Sequence, residues 1–280
     1  MSDLPASAAN FCYRHPGRQS LILCQRCGRT ICPECQTQAA VGVVCPECMK
    51  EQRKNAPRTK PAVLTRLTGE GKPTVTYALI AVTAFIFVLQ WIPGLGIYQN
   101  FAYMPALTVI EPWRMLTSVF LHSQGFIFHI LLNMYMLWIF GQLLEGLLGR
   151  GRFLALYLVS GFAGSVGVLV LSSPNTVVVG ASGAIFGLMG AFLVIQRRLG
   201  GNATQLLVLL GINFVIGFIP GLNIAWQAHL GGLLAGALMG LIFMQTRRLK
   251  HQGIQVVLIA GLTVVLAAVA ALKVFSYLNG

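Results

Sequence analysis

The chain has 280 residues, of which 56% are apolar and only 10% charged, with a formal net charge of +13. Soluble domains carry about 45–50% apolar and about 25% charged residues, so an ordinary water-soluble globule is excluded. The charge is also uneven: fifteen of the twenty-seven charged side chains fall within residues 1–70, which makes the chain a short polar head on a long apolar body.

Met1 to Phe11 lacks a basic start followed by an apolar run, so no secretory signal is expected. All seven cysteines then lie between Cys12 and Cys48, in four knuckles of two-residue spacing: Cys12-x2-His15, Cys24-x2-Cys27, Cys32-x2-Cys35 and Cys45-x2-Cys48. Seven sulfurs and one imidazole are the ligand complement of two tetrahedral zinc ions. Disulfides are the competing reading, opposed by the odd cysteine count, the regular pairs and the cytoplasmic side deduced below. A head of about fifty residues buries little apolar surface, so metal ligation would supply most of its folding energy. Residues 1–50 are therefore expected to hold two structural Zn ions. Closed Cys-rich sites keep no open coordination position, so binding of a cytoplasmic protein partner fits better than catalysis.

The ligand spacing resembles the B-box class of cross-braced zinc modules, and departs from it at Cys45 and Cys48, where that class places histidines. The resemblance implies one ion on Cys12, His15, Cys32 and Cys35 and another on Cys24, Cys27, Cys45 and Cys48. Spacing alone allows neighbouring knuckles to pair instead.

Residues 51–73 are basic and carry Pro57, Pro61 and Gly69, the composition of a flexible juxtamembrane linker. From Thr74 onward the apolar runs have the length a hydrocarbon core of about 30 Å requires, roughly 17–25 helical residues. Seven are expected, over Thr74 to Trp91, Ile127 to Leu144, Phe153 to Leu171, Ala181 to Ile195, Ala203 to Ile219, Ala225 to Met244 and Ile254 to Phe275. The predicted fold is an all-α polytopic membrane protein in contact with the lipid bilayer. The fourth run is short, a feature of functional interiors more than of lipid-facing rods.

Basic residues set the orientation, because short cytoplasmic loops retain Lys and Arg. Eleven lie at or before Lys72, followed by Arg150 and Arg152, Arg197 and Arg198, then Arg247, Arg248 and Lys250, which places eighteen of twenty on alternate connections. The amino terminus is thus expected in the cytoplasm and, with seven spans, the carboxyl terminus outside. The +13 becomes topology plus attraction to anionic headgroups, and no nucleic-acid partner is expected. The outer connection from Pro93 to Phe126 contains Tyr98, Phe101, Tyr103, Trp113, Phe120 and Phe126, the rings of a loop half-sunk in the interface.

Ionisable groups within a span are costly and mark functional candidates. Acid is scarce: the only aspartate is Asp3, and beyond residue 70 the only glutamates are Glu111 and Glu145, so no Ser-His-Asp triad is available in the body. What the spans do hold is His129 with Asn133, Ser182 between glycines, and His229 before a glycine series. The second, fourth and sixth runs are expected to travel in one direction. His129, Ser182 and His229 each fall near the start of their run, hence at one depth near the outer face.

Ser182 at a helix start has free backbone N–H groups and the positive dipole end beside it, which suits a nucleophile whose product is an oxyanion. His229 is its candidate base. Gly183 and Gly187, with Gly232, Gly236 and Gly240, make small-residue faces that let two helices approach closely. Packing, capping and a lone buried histidine explain each feature singly; their common depth favours a site.

These residues, Gly180-Ala181-Ser182-Gly183 and His229 with its spaced glycines, resemble the signature of the rhomboid intramembrane serine proteases, over roughly residues 74–245. The resemblance implies a six-helix rhomboid core, with residues 246–280 adding a cytoplasmic loop and a seventh helix whose apolar character gives it no catalytic role. It implies Ser182 as nucleophile, His229 as base, His129 and Asn133 joining the Ser182 N–H in an oxyanion hole, and Phe186 stacked on the histidine. Trp113 and Arg114 match a Trp-Arg pair in the outer loop and read as interface anchors. His122 reads as structural, and Glu145 as a buried carboxylate holding backbone or Arg groups near the cytoplasmic face. The implied activity is cleavage of single-pass transmembrane proteins near the outer membrane face through an acyl-enzyme, with no catalytic cofactor. The alternative is a catalytically silent rhomboid-like protein that binds or escorts membrane clients; such proteins usually lack the nucleophile or base. A transporter would call for midplane acids or inverted repeats, and a metalloprotease for His-Glu-x-x-His, none of which the sequence contains.

Overall fold

The computed structural model describes residues 10–39, 42–55, 72–217 and 224–279, and the chain divides into two units, Met1–Thr68 and Gly69–Gly280. Most of the predicted linker, residues 56–71, and the end of the fifth apolar run beyond residue 217 lie outside the described residues.

In the first unit β1 (Phe11–Cys12) pairs antiparallel with β2 (His15–Gln19), and β3 (Thr37–Gln38) pairs antiparallel with β4 (Val43–Val44), ahead of helix α1 (Pro46–Asn55). Strands this short contribute few ladder bonds, and the interior is built chiefly from sulfur. Cys12, Cys24, Cys32, Cys35, Cys45 and Cys48 are buried together with Ile31 and Val44. So thin an apolar core cannot by itself offset the entropy of ordering the chain.

The second unit is a helical bundle. Helix α2 (Thr74–Leu89) starts just after Pro73, and the Glu145 carboxylate supplies the acceptors that a helix start lacks. It takes the N–H of Val75 at 2.9 Å, the N–H of Thr76 at 2.8 Å and the Thr76 hydroxyl at 2.8 Å. Two short helices, α3 (Ile97–Phe101) and α4 (Arg114–Thr117), follow in the long connection. Then come α5 (Ile127–Leu148) and α6 (Arg150–Leu171), separated only by Gly149, whose φ of +81° lets the chain reverse in one residue. The remaining helices are α7 (Ser182–Arg198), α8 (Thr204–Ile216), α9 (Trp226–Gln245) and α10 (Gln252–Asn279).

Among the described residues, α5, α6, α9 and α10 have the length and hydropathy to cross a membrane, while α2 and α8 are shorter apolar helices. Helix α7 has 17 residues, about 26 Å of rise, and Gly183 through Ala191 are all buried. A helix enclosed by its neighbours needs neither a lipid-facing stripe nor a full span, which is why its run reads short in the sequence. The long helices also extend beyond the apolar runs, α5 to Leu148 and α10 from Gln252 to Asn279. Hydropathy marks the hydrocarbon, whereas backbone hydrogen bonding continues into the polar interface.

The centre of the bundle is the contact of α9 with α7 and α6. A methyl group on Gly232 or Gly236 of α9 would run into the carbonyl oxygens of Gly183 and Gly187 on α7, so the two backbones touch directly. Leu137, Leu144, Phe153, Leu156, Tyr157, Leu188 and Met239 fill the space around that seam.

The connection between α2 and α5, expected on the outer side, is packed down and not merely sunk in an interface. Tyr103 is buried and its backbone bridges Val178, and its hydroxyl meets Thr108 at 3.0 Å. Arg114 corrects its expected role: it is buried, pairs with Glu111, and donates to the carbonyls of Gln99 at 2.6 Å and Ala102 at 2.9 Å. A guanidinium with five donors satisfies several loop carbonyls at once, which outweighs the headgroup position the sequence suggests. Its neighbour Trp113 is exposed. Helix α10 is tied near both ends, by Gln255 to Thr246 and Arg152 at 2.6 Å each and by the Tyr277 hydroxyl to the Leu169 carbonyl at 3.2 Å.

Candidate active site

Ser182 opens α7, directly after Gly180 and Ala181. Gly180 has φ +124°, a value that side chains rarely adopt, and a Cβ there would lie 2.7 Å from His129 Nε2. Two independent constraints therefore require glycine at this approach to the helix. Helix geometry leaves the first N–H groups of α7 without acceptors inside the helix, and they gather beside the Ser182 hydroxyl.

His229 sits in the first turn of α9, and its Nε2 lies 3.0 Å from Ser182 Oγ, within hydrogen-bond range. The α7–α9 glycine seam produces this distance: Gly183 follows the serine, Gly232 lies one turn after the histidine, and their backbones touch. The Phe186 ring stacks on the His229 imidazole with centroids 4.1 Å apart and an interplanar angle of 8°. Phe186 is four residues from Ser182, so both project from one side of α7. That ring limits where the imidazole can turn while leaving Nε2 directed at the hydroxyl.

His129 approaches from α5. Its Nδ1 accepts the N–H of Ser123 at 3.2 Å, and a nitrogen that accepts carries no hydrogen, so Nε2 is the donor and it faces Gly180. Asn133 is buried one turn later and spends one amide hydrogen on the His129 carbonyl at 2.7 Å, which leaves its second N–H. His129 Nε2 is thus beside Gly180, two residues before Ser182, and Asn133 lies one turn further along α5. Arranged around a tetrahedral oxyanion, they would stabilise charge that develops only as the hydroxyl attacks.

His122 is fully buried, with its ring 5.0 Å from that of His129, and neither ring nitrogen has a hydrogen-bond partner among the described residues. Burial first, and the neighbouring His129 second, push its imidazole down to about 3, so it packs as a neutral ring. Glu145 holds the Val75 and Thr76 N–H groups of α2, and among the described residues no hydrogen bond joins it to Ser182 or His229. Sequence reasoning did not single out Gln90, whose carboxamide holds the backbone of His122. A glutamine at the end of an apolar run reads simply as the point where a helix meets water.

In the first unit, Cys12, His15, Cys32 and Cys35 form one group and Cys24, Cys27, Cys45 and Cys48 another, each with all ligand atoms within 4.8 Å of one another. The alternate pairing, not the neighbouring one, is the geometry present. A tetrahedral ion with bonds of about 2.3 Å has ligand–ligand edges of about 3.8 Å. Cys27 Sγ to Cys45 Sγ is 3.8 Å, and His15 Nδ1 lies 3.3 Å from Cys32 Sγ, 3.5 Å from Cys35 Sγ and 3.9 Å from Cys12 Sγ. Desolvation acts to raise the Cys12 and Cys24 thiols, yet backbone N–H donors outweigh it and hold both down to about 6. Burial and neighbouring sulfurs push Cys35 up to about 11, and neighbouring sulfurs and burial push Cys48 up to about 12. Thiols ready to ionise beside thiols held protonated form a set that a divalent cation would bring to one state. The donors present therefore fit zinc.

A family model described as the Rhomboid domain matches residues 110–246. The chain is 36% identical over 202 residues to the rhomboid protease GluP of Bacillus subtilis, covering 67% of this chain and 36% of GluP. It is 37% identical over 146 residues to the rhomboid relative YdcA of the same organism, covering 50% of this chain and 72% of YdcA. Similarity extends to RHOMBOID-like protein 6, mitochondrial, of Arabidopsis thaliana, 38% identical over 141 residues, 48% of this chain and 44% of that protein. The chain thus spans about a third of GluP and nearly three quarters of YdcA.

Proposed function

Since the chain belongs to the rhomboid family, we propose that it is an intramembrane serine endopeptidase that cleaves single-pass transmembrane proteins with a Ser182–His229 dyad. The observation that carries this reading is the 3.0 Å contact between His229 Nε2 and Ser182 Oγ at the start of a helix. Ser182 Oγ attacks the scissile carbonyl carbon while His229 Nε2 takes its proton. The tetrahedral oxyanion is held by the Ser182 N–H, His129 Nε2–H and Asn133 Nδ2–H. On collapse the C–N bond breaks, His229 returns the proton to the leaving amine, and an acyl-enzyme remains. Water, deprotonated by His229, then releases the acid and restores the serine. Phe186 keeps the imidazole in register throughout.

The basic residues favour a cytoplasmic amino terminus, seven crossings with an external carboxyl terminus, and a dyad near the outer face. The two zinc ions of the first unit are structural, and none of their ligands enters the peptide-bond chemistry. Their module is the unit suited to a cytoplasmic protein partner. Residues 74–245 form the six-helix core of this proposal and α10 its added seventh helix.

The test is cleavage in proteoliposomes of a panel of single-pass membrane proteins tagged at both ends. Ser182→Ala and His229→Ala are expected to abolish cleavage while leaving thermal unfolding unchanged. His129→Ala and Asn133→Ala each are expected to lower turnover by about 10²–10³-fold. Cleavage that persists in Ser182→Ala overturns the assignment.

A further inference from the structure

Gln90 follows the last residue of α2, is buried, and uses its side chain as a backbone partner. Its Nε2 donates to the His122 carbonyl at 2.8 Å and its Oε1 accepts the His122 N–H at 3.1 Å, the pairing a neighbouring strand would offer. Its own carbonyl accepts from Gln124 Nε2 at 2.8 Å. Both flanks of Ser123 are thereby fastened to the end of α2. Ser123 is the residue whose N–H donates to His129 Nδ1, and the His122 ring packs against the His129 ring at 5.0 Å.

We propose that Gln90 is a positioning residue for the reaction: by clamping His122 and Gln124 it aims the Ser123 N–H at His129 Nδ1, and so keeps the hydrogen of His129 on Nε2, facing the oxyanion. The inference rests on His129 being an oxyanion donor. Without the clamp the Ser123 N–H is free to turn away, the imidazole can adopt the other tautomer, and Nε2 becomes an acceptor that repels the developing negative charge. A glutamine side chain suits the task because one planar amide offers a donor and an acceptor in the spacing of a peptide group.

The test is the second-order rate at which a fluorophosphonate probe labels the full-length protein in detergent, because phosphonylation needs no known substrate. Ser182 Oγ bonds to phosphorus, fluoride leaves, His229 takes the proton, and the phosphoryl oxygen occupies the oxyanion position. Gln90→Met is expected to slow labelling by about 10- to 100-fold, since small misplacements of a catalytic group cost on that order. In a His129→Ala background the same substitution is expected to cost no more than about twofold, the non-additivity of residues acting through one another. Gln90→Glu is expected to recover toward the wild-type rate, taken as a ratio at each pH, as pH falls from about 8 to about 5, because burial at this position raises the carboxyl above its ordinary value of about 4.3 and lets it become a neutral donor and acceptor. That acid rescue carries the test if Gln90→Met does not fold.

Equal slowing with and without His129 shows a general structural role and overturns the inference. So does wild-type labelling by Gln90→Met while His129→Ala is slow. Wild-type labelling by His129→Ala instead overturns the oxyanion reading beneath it, and the inference with it.

Discussion

The glycine seam makes the site, and Gly232→Ala tests that claim. A methyl at this position meets the Gly183 carbonyl carbon at 2.7 Å, with the carbonyl oxygen nearer still. Carbon atoms pack comfortably at about 3.5 Å, so clearing the carbonyl carbon alone makes α9 withdraw from α7 by about 0.8 Å, and the nearer oxygen makes that a minimum. Because the obstacle is backbone on a buried helix, no side-chain rotation relieves it. His229 lies one turn from the new methyl and Ser182 is adjacent to Gly183, so the displacement falls directly on the dyad. The 3.0 Å contact lengthens to at least about 3.8 Å, beyond hydrogen-bond range. Turnover is expected to fall by about 10²-fold, and unfolding stability by about 1–3 kcal/mol from overpacking. The assay pairs substrate cleavage with thermal unfolding in the same detergent. Gly261→Ala on α10 is the control, since a Cβ there meets nothing within 4 Å and a helical glycine replaced by alanine gains up to about 1 kcal/mol. Wild-type turnover in Gly232→Ala would refute the idea that helix contact sets the dyad distance.

Removal of the Glu145 carboxylate in Glu145→Ala strands two backbone N–H groups at the start of α2 and is expected to cost about 1–3 kcal/mol in thermal unfolding, with cleavage per folded molecule retained. For His122, the folded-state value of about 3 lies below the ordinary value of 6.5, so its contribution to stability is complete above about pH 6.5 and is lost as pH falls toward 3. Neither ring nitrogen meets a hydrogen-bond partner among the described residues, so His122→Phe is expected to retain the fold and to show a smaller loss of melting temperature across that interval; an unchanged pH profile contradicts the assignment. Metal analysis is expected to find two zinc ions per chain, and Cys45→Ser to lower that content with loss of head structure by limited proteolysis, while a chelator unfolds the head but leaves fluorophosphonate labelling of Ser182 intact.

The sequence exposed the features that depend on periodicity or on chemical rarity. Cysteine knuckles stand out against a body without cysteine. Ser182 and His229 stand out because apolar spans seldom carry such groups, and counting spans places them at one depth. What it could not supply is distance. Nothing in the spacing states that a methyl on Gly232 would meet Gly183, or that Phe186 stacks on His229 at 8°. Arg114 reads as an interface anchor because hydropathy treats arginine as a residue of surfaces, whereas the Gln99 and Ala102 carbonyls and the Glu111 carboxylate substitute for water. Gln90 was passed over because its importance lies in bonds to a loop more than thirty residues away. Helix ends were read too short at Leu144 and Phe275 because the backbone ladder obeys hydrogen bonding, not hydropathy.

The most direct measurement of the central claim is fluorophosphonate labelling of the purified full-length protein beside Ser182→Ala and His229→Ala, with unfolding curves for all three. An activated serine predicts one covalent adduct on the wild type, mapped to Ser182 by mass spectrometry, and none on either variant. Equal labelling of wild type and His229→Ala, or no labelling of a fully folded wild type, would contradict the dyad.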